Sequence, residues 1–412
     1  MHMKNIYDYV KLCGPKFILK KLKDRIVSCV NNDDANIIDV FEKFSFVLEN
    51  KRNNFSYNDY IEYKNNPIIL NWVIPELGIG SGGHINIFRF IEMLSRKGIS
   101  NRIYIYNPVC EHKESDLLYF IRKYYDVESD NISFGLDVNN MDFCHGIVAT
   151  SWQTAYFVNR FDNTLSKFYF VQDFEPYFYP SGSQFLFAEN TYKFGLMGLT
   201  AGYWLKEKLF NEYNMKCTGY MFSYDKKLYK FKKKLDNKKR VFFYFRPSTD
   251  RRATEMGLMA LSELKKRMSD LEIWFAGADT FDYHIPFSFK NLGILKIEQL
   301  CDIYSQCDMC LVLSTTNLSL LPLEIMASNS IVVSNRGANN EWFLNEYNSI
   351  LVDNDPVNIA DRMLYYFNNI DEMNKIRESG RKFAESTSWE ESGNIVYNTI
   401  VDVIENSSSL RS

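Results

Sequence analysis

Apolar positions along this chain fall into two successive series of short solid blocks alternating with amphipathic stretches. In the first series, Pro67–Val73 is a mostly apolar run, broken only by Asn71, that predicts a buried strand. A glycine-rich turn follows it, then a helix over Ile85–Lys97 and a second strand over Arg102–Tyr106. Gly146–Thr150 and Lys167–Val171 read as further strands, and the pattern continues through Thr191–Thr200. The second series predicts strands at Arg240–Phe245, Glu272–Phe275, Met309–Leu313 and Ile331–Ser334. Helices are expected between them at Thr254–Met268, Ile297–Cys307 and Pro322–Ala327, with another at Pro356–Asn368. Strands that alternate with helices form parallel sheets covered on both faces. The fold class expected is therefore α/β, with two Rossmann-like doubly wound domains facing a cleft and an N-terminal helical extension.

Residues 1–64 stand outside this alternation. Lys11–Val30 sets Phe17, Ile18, Leu22, Ile26 and Val27 among Lys16, Lys20, Lys21, Lys23 and Arg25, a basic amphipathic helix. Such a helix could lie on an anionic membrane surface or pack on the protein. Gly14-Pro15 shortens it, which favours packing. Between the two series, Lys226–Arg240 carries nine basic residues and one acid, Asp236. Only Tyr229 and Phe231 interleave, too few aromatics for a nucleic-acid surface, so a solvated linker is expected. The boundaries follow: extension 1–64, first domain 65–237, second domain 238–390, and a C-terminal helix with its tail over 391–412.

Composition narrows the picture. A chain of 412 residues with 46% hydrophobic and 16% aromatic content builds more than one core. Acidic residues (51) nearly balance basic ones (48), so no global field draws it to nucleic acid. Cys307 and Cys310 form a lone C-x-x-C without a second pair, which predicts buried thiols rather than a zinc site. No apolar run is long enough to span a membrane and no signal-like segment follows the start, so a cytoplasmic location is expected.

Four loops carry candidate chemistry. Gly78-Ile79-Gly80-Ser81-Gly82-Gly83-His84 lies between a strand and a helix and holds four glycines in its first six positions. Glycines admit close approach of a ligand to the backbone, and a helix start offers free N–H groups to an anion. The spacing is not that of a dinucleotide fingerprint. Arg246-Pro247-Ser248-Thr249-Asp250-Arg251-Arg252 follows a strand directly, where guanidinium groups can grip a diphosphate. Ser314–Glu324 runs from a strand end through a polar loop into a helix, with Glu324 in the first turn. That carboxylate either complements the helix dipole or accepts from a sugar hydroxyl. In Val171-Gln172-Asp173-Phe174-Glu175-Pro176, alternation along an extended segment would put Asp173 and Glu175 on one wall. There they could orient or deprotonate an acceptor hydroxyl, or simply form a polar rim. Asp353-Asn354-Asp355 precedes Pro356 and a helix, and turn and cap chemistry explains it without a metal.

Together these segments resemble the retaining glycosyltransferases of GT-B architecture over about residues 65–400. Arg246 with Arg251 resembles the family's diphosphate-gripping pair, with Arg in place of Lys. Leu292-Gly293 and Lys296 resemble the loop at the nucleotide base. Leu321-Pro322-Leu323-Glu324-Ile325-Met326-Ala327-Ser328 resembles the signature helix start. Trp389-Glu390 is similar to the point where the last helix returns to the first domain. Where the family often has a second glutamate eight positions before Glu324, this chain has Thr316, and Gln172 stands where many relatives have histidine. Both departures, with Trp72-Val73-Ile74-Pro75, Tyr203-Trp204-Leu205 and Phe245-Arg246-Pro247, are similar to the WsaF-type bacterial rhamnosyltransferases.

The resemblance implies transfer of a sugar, L-rhamnose from dTDP-L-rhamnose in that subgroup, to a saccharide or lipid-linked saccharide acceptor in surface-glycan assembly. It implies a nucleotide-diphosphate sugar as co-substrate and no metal or other cofactor. Donor contacts are expected from Gly82, Gly83, Arg246, Arg251, Gly293, Lys296, Ser314, Thr316 and Glu324. Catalytic roles fall to His84, Asp173 and Glu175, and acceptor contacts to Gln172 and Trp152. Another donor nucleotide, a sugar-nucleotide epimerase or phosphorylase of like architecture, and a non-catalytic glycan-binding scaffold stand as alternatives.

Overall fold

The computed structural model describes residues 40–409, apart from positions 50, 51, 53, 110 and 136. The basic amphipathic stretch at 11–30 lies outside the described residues. The chain divides into two compact units. One takes the chain through Thr200, then Lys208–Thr218 and the stretch from Gly393; the other takes Ala201–Glu207 and Gly219–Ser392.

The first unit is organised on a seven-stranded sheet in the order β3-β2-β1-β4-β5-β6-β7. Its strands are β1 Ile69–Pro75, β2 Ser100–Tyr106, β3 Ile132–Gly135, β4 Cys144–Ala149, β5 Thr164–Val171, β6 Met197–Ala201 and β7 Cys217–Tyr220. Pairing is parallel from β3 across to β6. Every residue of β1 except Pro75 is buried, because helices cover both faces of a parallel sheet. Two polar groups inside find partners. The Trp72 indole N–H donates to Asn101 Oδ1 at 2.8 Å, and Asn101 Nδ2 donates to Ser95 Oγ and the Ile99 carbonyl. Chain order reverses between β1 and β4, and ligands of open α/β sheets bind beyond the carboxyl ends of strands at such a reversal.

The second unit carries a six-stranded parallel sheet in the order β10-β9-β8-β11-β12-β13. The strands are β8 Arg240–Tyr244, β9 Glu272–Ala276, β10 Lys290–Asn291, β11 Met309–Leu311, β12 Ile331–Asn335 and β13 Ile350–Val352. Its core joins Phe243, Phe245 and Phe275 to Leu261 and Leu264 of the helix Thr254–Arg267. Each such side chain stabilises the fold by roughly 1.5–3 kcal/mol on burial. The reversal of this sheet lies between β8 and β11.

The α/β expectation holds, with differences in detail. Thr191–Thr200 divides into a 3-10 turn at Thr191–Lys193 and strand β6, with Gly195 at φ +76° between them. The basic stretch Lys226–Arg240 is largely exposed, as expected, but ion pairs tie it into the second unit. Lys234 pairs with Asp308 at 2.6 Å, and Arg240, 3% exposed, pairs with Asp236 and Glu272 at 3.0 and 2.8 Å. The partners that tie it down, Asp308 and Glu272, are distant along the chain. The last helix, Trp389–Ser409, begins in the second unit, where Ser392 Oγ donates to the Met221 carbonyl. It ends on the first, where Ser166 Oγ donates to Ser407 Oγ at 2.9 Å.

Candidate functional site

Three loops meet at the β8–β11 reversal of the second unit. The first leaves β8 at Phe245 and carries Arg246, which is exposed. Arg246 Nη1 donates to the Gly277 carbonyl at 3.1 Å, and its guanidinium lies 5.5 Å from the centre of the Tyr244 ring. Gly277 has φ +120°, and a Cβ there would stand 2.7 Å from the Phe245 carbonyl and 3.0 Å from Arg246 Cδ. Only glycine fits this position. The Gly277 amide in turn donates to the Gly293 carbonyl at 2.9 Å, so Arg246 and Gly293, separate in sequence, belong to one connected edge.

The third loop, Ser314–Asn317, is tied to the first by the Thr315 amide, which donates to the Arg251 carbonyl at 2.9 Å. Ser314, Thr316 and Asn317 are buried, so the loop needs internal partners for its backbone. Three asparagines supply them. Asn335 Oδ1 accepts from the Ser314 amide at 2.9 Å, and its Nδ2 donates to the Ser314 carbonyl at 3.0 Å. Asn339 Nδ2 donates to the Ser314 and Thr316 carbonyls, at 3.1 and 2.7 Å. Asn340 Nδ2 donates to Ser314 and Asn335 carbonyls, at 3.2 and 2.7 Å. These positioning residues were not singled out in the sequence. The signal available was amide-rich sequence at the end of an apolar strand.

Glu324 sits in the first turn of the helix Leu321–Ala327. Tyr229, from the basic stretch, hydrogen-bonds to its carboxylate. Burial, together with the Glu324 charge and that bond, pushes the tyrosine well above its ordinary value. Lys296 is exposed and opens the helix Ile297–Ser305, where its amide donates to Gln299 Oε1 at 3.0 Å. The second unit therefore gathers Arg246, Arg251, Gly293, Ser314 and Thr316 at adjoining carboxyl ends. Glu324 follows the same loop.

In the first unit the glycine turn opens the helix Gly82–Arg96, capped by Ser81, whose Oγ accepts from the His84 amide at 3.4 Å. His84 Nδ1 lies 2.8 Å from Ser81 Oγ and Nε2 3.4 Å from the Pro75 carbonyl. Burial holds its pKa below the usual histidine range, against the opposing pull of Pro75 and Glu76. Gln172 Nε2 donates to the Gly83 carbonyl at 3.2 Å, and its Oε1 accepts from Asn86 Nδ2 at 3.3 Å. Gly83, His84 and Gln172 are thus brought together, with Asp173 next in the chain. Asp173 Oδ1 accepts from the Phe174 amide at 2.8 Å.

Glu175 and Trp152 do not share that surface. After Gln172 the backbone leaves the extended form and enters a 3-10 helix at Glu175–Phe178, so the alternation expected for Asp173 and Glu175 is lost. Glu175 is buried. Its Oε2 accepts from the Trp152 amide at 2.9 Å and its Oε1 from the Tyr169 hydroxyl at 2.7 Å. Burial raises its pKa to about 7, above what those two hydrogen bonds offset. Trp152 is 2% exposed, donates its indole N–H to Tyr179 and packs on Phe46 and Tyr156, which gives it a core role and no acceptor-facing surface. Asp355 caps the helix Pro356–Asn368 by accepting from the Asn358 amide at 2.7 Å, and Asp353 lies 3.7 Å from Arg336. Cys307 and Cys310 are buried thiols; burial pushes Cys310 up to about 12. Among the described residues no helix is long and apolar enough to cross a membrane.

Comparison with known proteins agrees with this architecture. Residues 239–364 match the family described as WsaF, C-terminal domain. The O-antigen biosynthesis protein RfbC of Myxococcus xanthus is 29% identical over 340 residues, covering 77% of this chain. The chain spans about a quarter of that protein, 26% of its length. Among solved structures, the sucrose-phosphate synthase of Thermosynechococcus elongatus superposes with TM-score 0.60 at 11% identity, covering 82% of this chain and 100% of that one. HepE of Anabaena, solved with UDP-glucose, gives TM-score 0.59 at 12% identity, covering 83% and 99%. This chain thus has a GT-B fold, and its residues 239–364 are similar to the WsaF C-terminal domain, as its loop motifs suggest.

Proposed function

We propose that this protein is a glycosyltransferase of bacterial surface-polysaccharide assembly that transfers L-rhamnose from dTDP-L-rhamnose to a saccharide acceptor, without a metal. The observation that carries the reading is the backbone tie between the Arg246–Arg252 and Ser314–Asn317 loops at the sheet reversal. It sets two arginines beside a rigid, asparagine-braced loop, a place suited to a diphosphate. The O-antigen role of RfbC and the sugar nucleotide bound by HepE support the same class of reaction.

An acceptor hydroxyl attacks the anomeric carbon, the bond from that carbon to the diphosphate oxygen breaks, and the hydroxyl proton passes to a base. Negative charge grows on the departing phosphates, and Arg246 and Arg251 neutralise it from fixed positions. We assign the nucleotide base to Gly293 and Lys296, the donor's hydroxyls to Glu324, and acceptor orientation to Gln172 and Asp173, while Ser314 and Thr316, fully buried, shape the loop that leads to Glu324. Thr316 in place of the family glutamate makes sugar recognition differ from glucose-using relatives.

Thermal-shift titration with dTDP, UDP and GDP, followed by product analysis with each sugar nucleotide, tests this. A shift with dTDP and acceptor-dependent product are expected. Indifference to all three nucleotides would sink the enzyme reading. Turnover without acceptor would point to an epimerase.

A further inference from the structure

A carboxylate outside the roles assigned above stands at the root of the glycine turn. Glu76 follows the last residue of β1 and takes three hydrogen bonds from two separate stretches of chain. Its Oε1 accepts from the Leu77 amide at 3.0 Å. Its Oε2 accepts from the Val109 amide and from His112 Nε2, both at 2.9 Å. We propose that Glu76, paired with His112, is a positioning residue that holds the glycine turn at 78–83 in the shape its ligand needs. That the ligand is a phosphate of the sugar nucleotide rests on the transferase reading above; that the pair holds the turn rests on the contacts themselves.

Glycine loses more conformational freedom on folding than any other residue, so a turn rich in it needs bracing from outside. Gly80 holds φ +75°, and a Cβ at Gly80 or Gly82 would meet nothing within 4 Å. The turn is open on that side, and its shape is set at its flanks. On the entry side Leu77 is buried, with its amide on Glu76, and the Gly78 carbonyl accepts from the Tyr125 hydroxyl at 3.0 Å. Tyr125 is itself fixed, its ring stacked on Phe88 at 4.7 Å and on His84 at 6.1 Å between centroids. Val109 and His112 lie between β2 and the helix Glu114–Tyr125. That helix is therefore attached to the turn at both ends, through His112 before its first residue and Tyr125 at its last.

The pair is shielded from water. The His112 side chain is 5% exposed and that of Glu76 21%, unlike the surface ion pairs that contribute little. Burial opposes the charge on Glu76, yet the bonds from His112, Val109 and Leu77 outweigh it and hold the carboxyl below the usual carboxylate range. What the bracing serves is the far end of the turn. The Gly82 and Gly83 amides begin the helix Gly82–Arg96 and have no acceptor within it. A fixed turn aims them at one place, so negative charge growing on a ligand there meets donors already in position.

Hydrogen exchange of the full chain, read over residues 77–84 beside donor kinetics, tests the assignment. His112→Ala removes the ion pair. Glu76→Gln, close to isosteric, leaves one acceptor oxygen where two are needed. In both, exchange across the turn should quicken by about tenfold or more, and kcat/KM for the donor should fall by a similar factor. His112→Gln, which keeps an N–H donor near the place of Nε2, should restore both. Exchange in β8 and β11 of the second unit should not change. Unaltered exchange over 77–84 in both variants overturns the proposal, and so does faster exchange with wild-type transfer. Equal quickening in β8 and β11 would mark general loosening and overturn it too. Faster exchange confined to the turn, in variants of a protein that turns over no sugar nucleotide, would keep the pair as the turn's anchor and discard the transferase reading.

Discussion

Thr315 donates its amide to the Arg251 carbonyl at 2.9 Å, joining two loops whose strands, β8 and β11, are neighbours in space but not in sequence. The bond fixes the Arg246–Arg252 loop to the Ser314–Asn317 loop.

Arg246 is exposed and its polar contact to protein is one hydrogen bond, to Gly277. Arg246→Ala should lower the transfer rate by about 10²–10³ while shifting stability by no more than about 1 kcal/mol. Steady-state kinetics beside a urea melt separates the two, and near-normal turnover would remove the diphosphate assignment.

Gly277→Ala should act through the backbone. With φ at +120° and a Cβ 2.7 Å from the Phe245 carbonyl, the substitution should destabilise by about 1–3 kcal/mol. It should also displace Arg246 and raise the donor KM. A variant as stable as wild type would mean the loop adjusts freely.

Asn340→Leu should loosen the Ser314 loop. It removes the bond donated to the Asn335 carbonyl in a fully buried place, a loss of about 1–3 kcal/mol, and one of the three amides on the Ser314 carbonyl, which keeps Asn335 and Asn339. The donor KM should rise more than kcat falls, because the loop would still be present but less ordered. Unchanged KM would confine Asn340 to a packing role.

Glu175 gives the first unit a pH dependence. Its folded pKa, about 7, lies above its value of 4.5 in an unfolded chain, so folding favours the protonated form. The stabilisation is complete below pH 4.5 and is lost as pH rises towards 7, a change of up to about 3 kcal/mol. Glu175→Gln should flatten that part of the stability–pH curve in denaturant melts. An identical slope in the variant would assign the titration elsewhere.

Asp355→Ala should weaken the cap of the helix Pro356–Asn368 by about 0.5–2 kcal/mol and leave transfer unchanged. Lost transfer that added manganese restores would bring back a metal at Asp353 and Asp355.

Much of this was legible in the residues. Dominantly apolar blocks such as Ile69–Ile74 and Ile331–Val333 are buried on both faces, as in parallel sheets under helices. The helix at Pro356–Asn368 was placed to the residue because Asp355 and Pro356 mark its start. Short elements escaped notice. Strand β13 is three residues long and β10 only two, too few for a period to show. The asparagine brace on Ser314 escaped too, since amides carry no periodic signal and act only through partners that folding brings near.

Local chemistry along the chain therefore determined the α/β alternation, the strand ends and the loops rich in glycine and arginine, because backbone preference and apolar spacing act over a few residues. Tertiary structure alone decided which of those groups meet. It put Gly277 under Arg246 and Thr315 against Arg251, and it buried Glu175 while leaving Gln172 beside Gly83. The physical reason is that strand neighbours in a doubly wound sheet are set by crossover order. A side chain's partners are then found across the sheet, at separations no local pattern encodes.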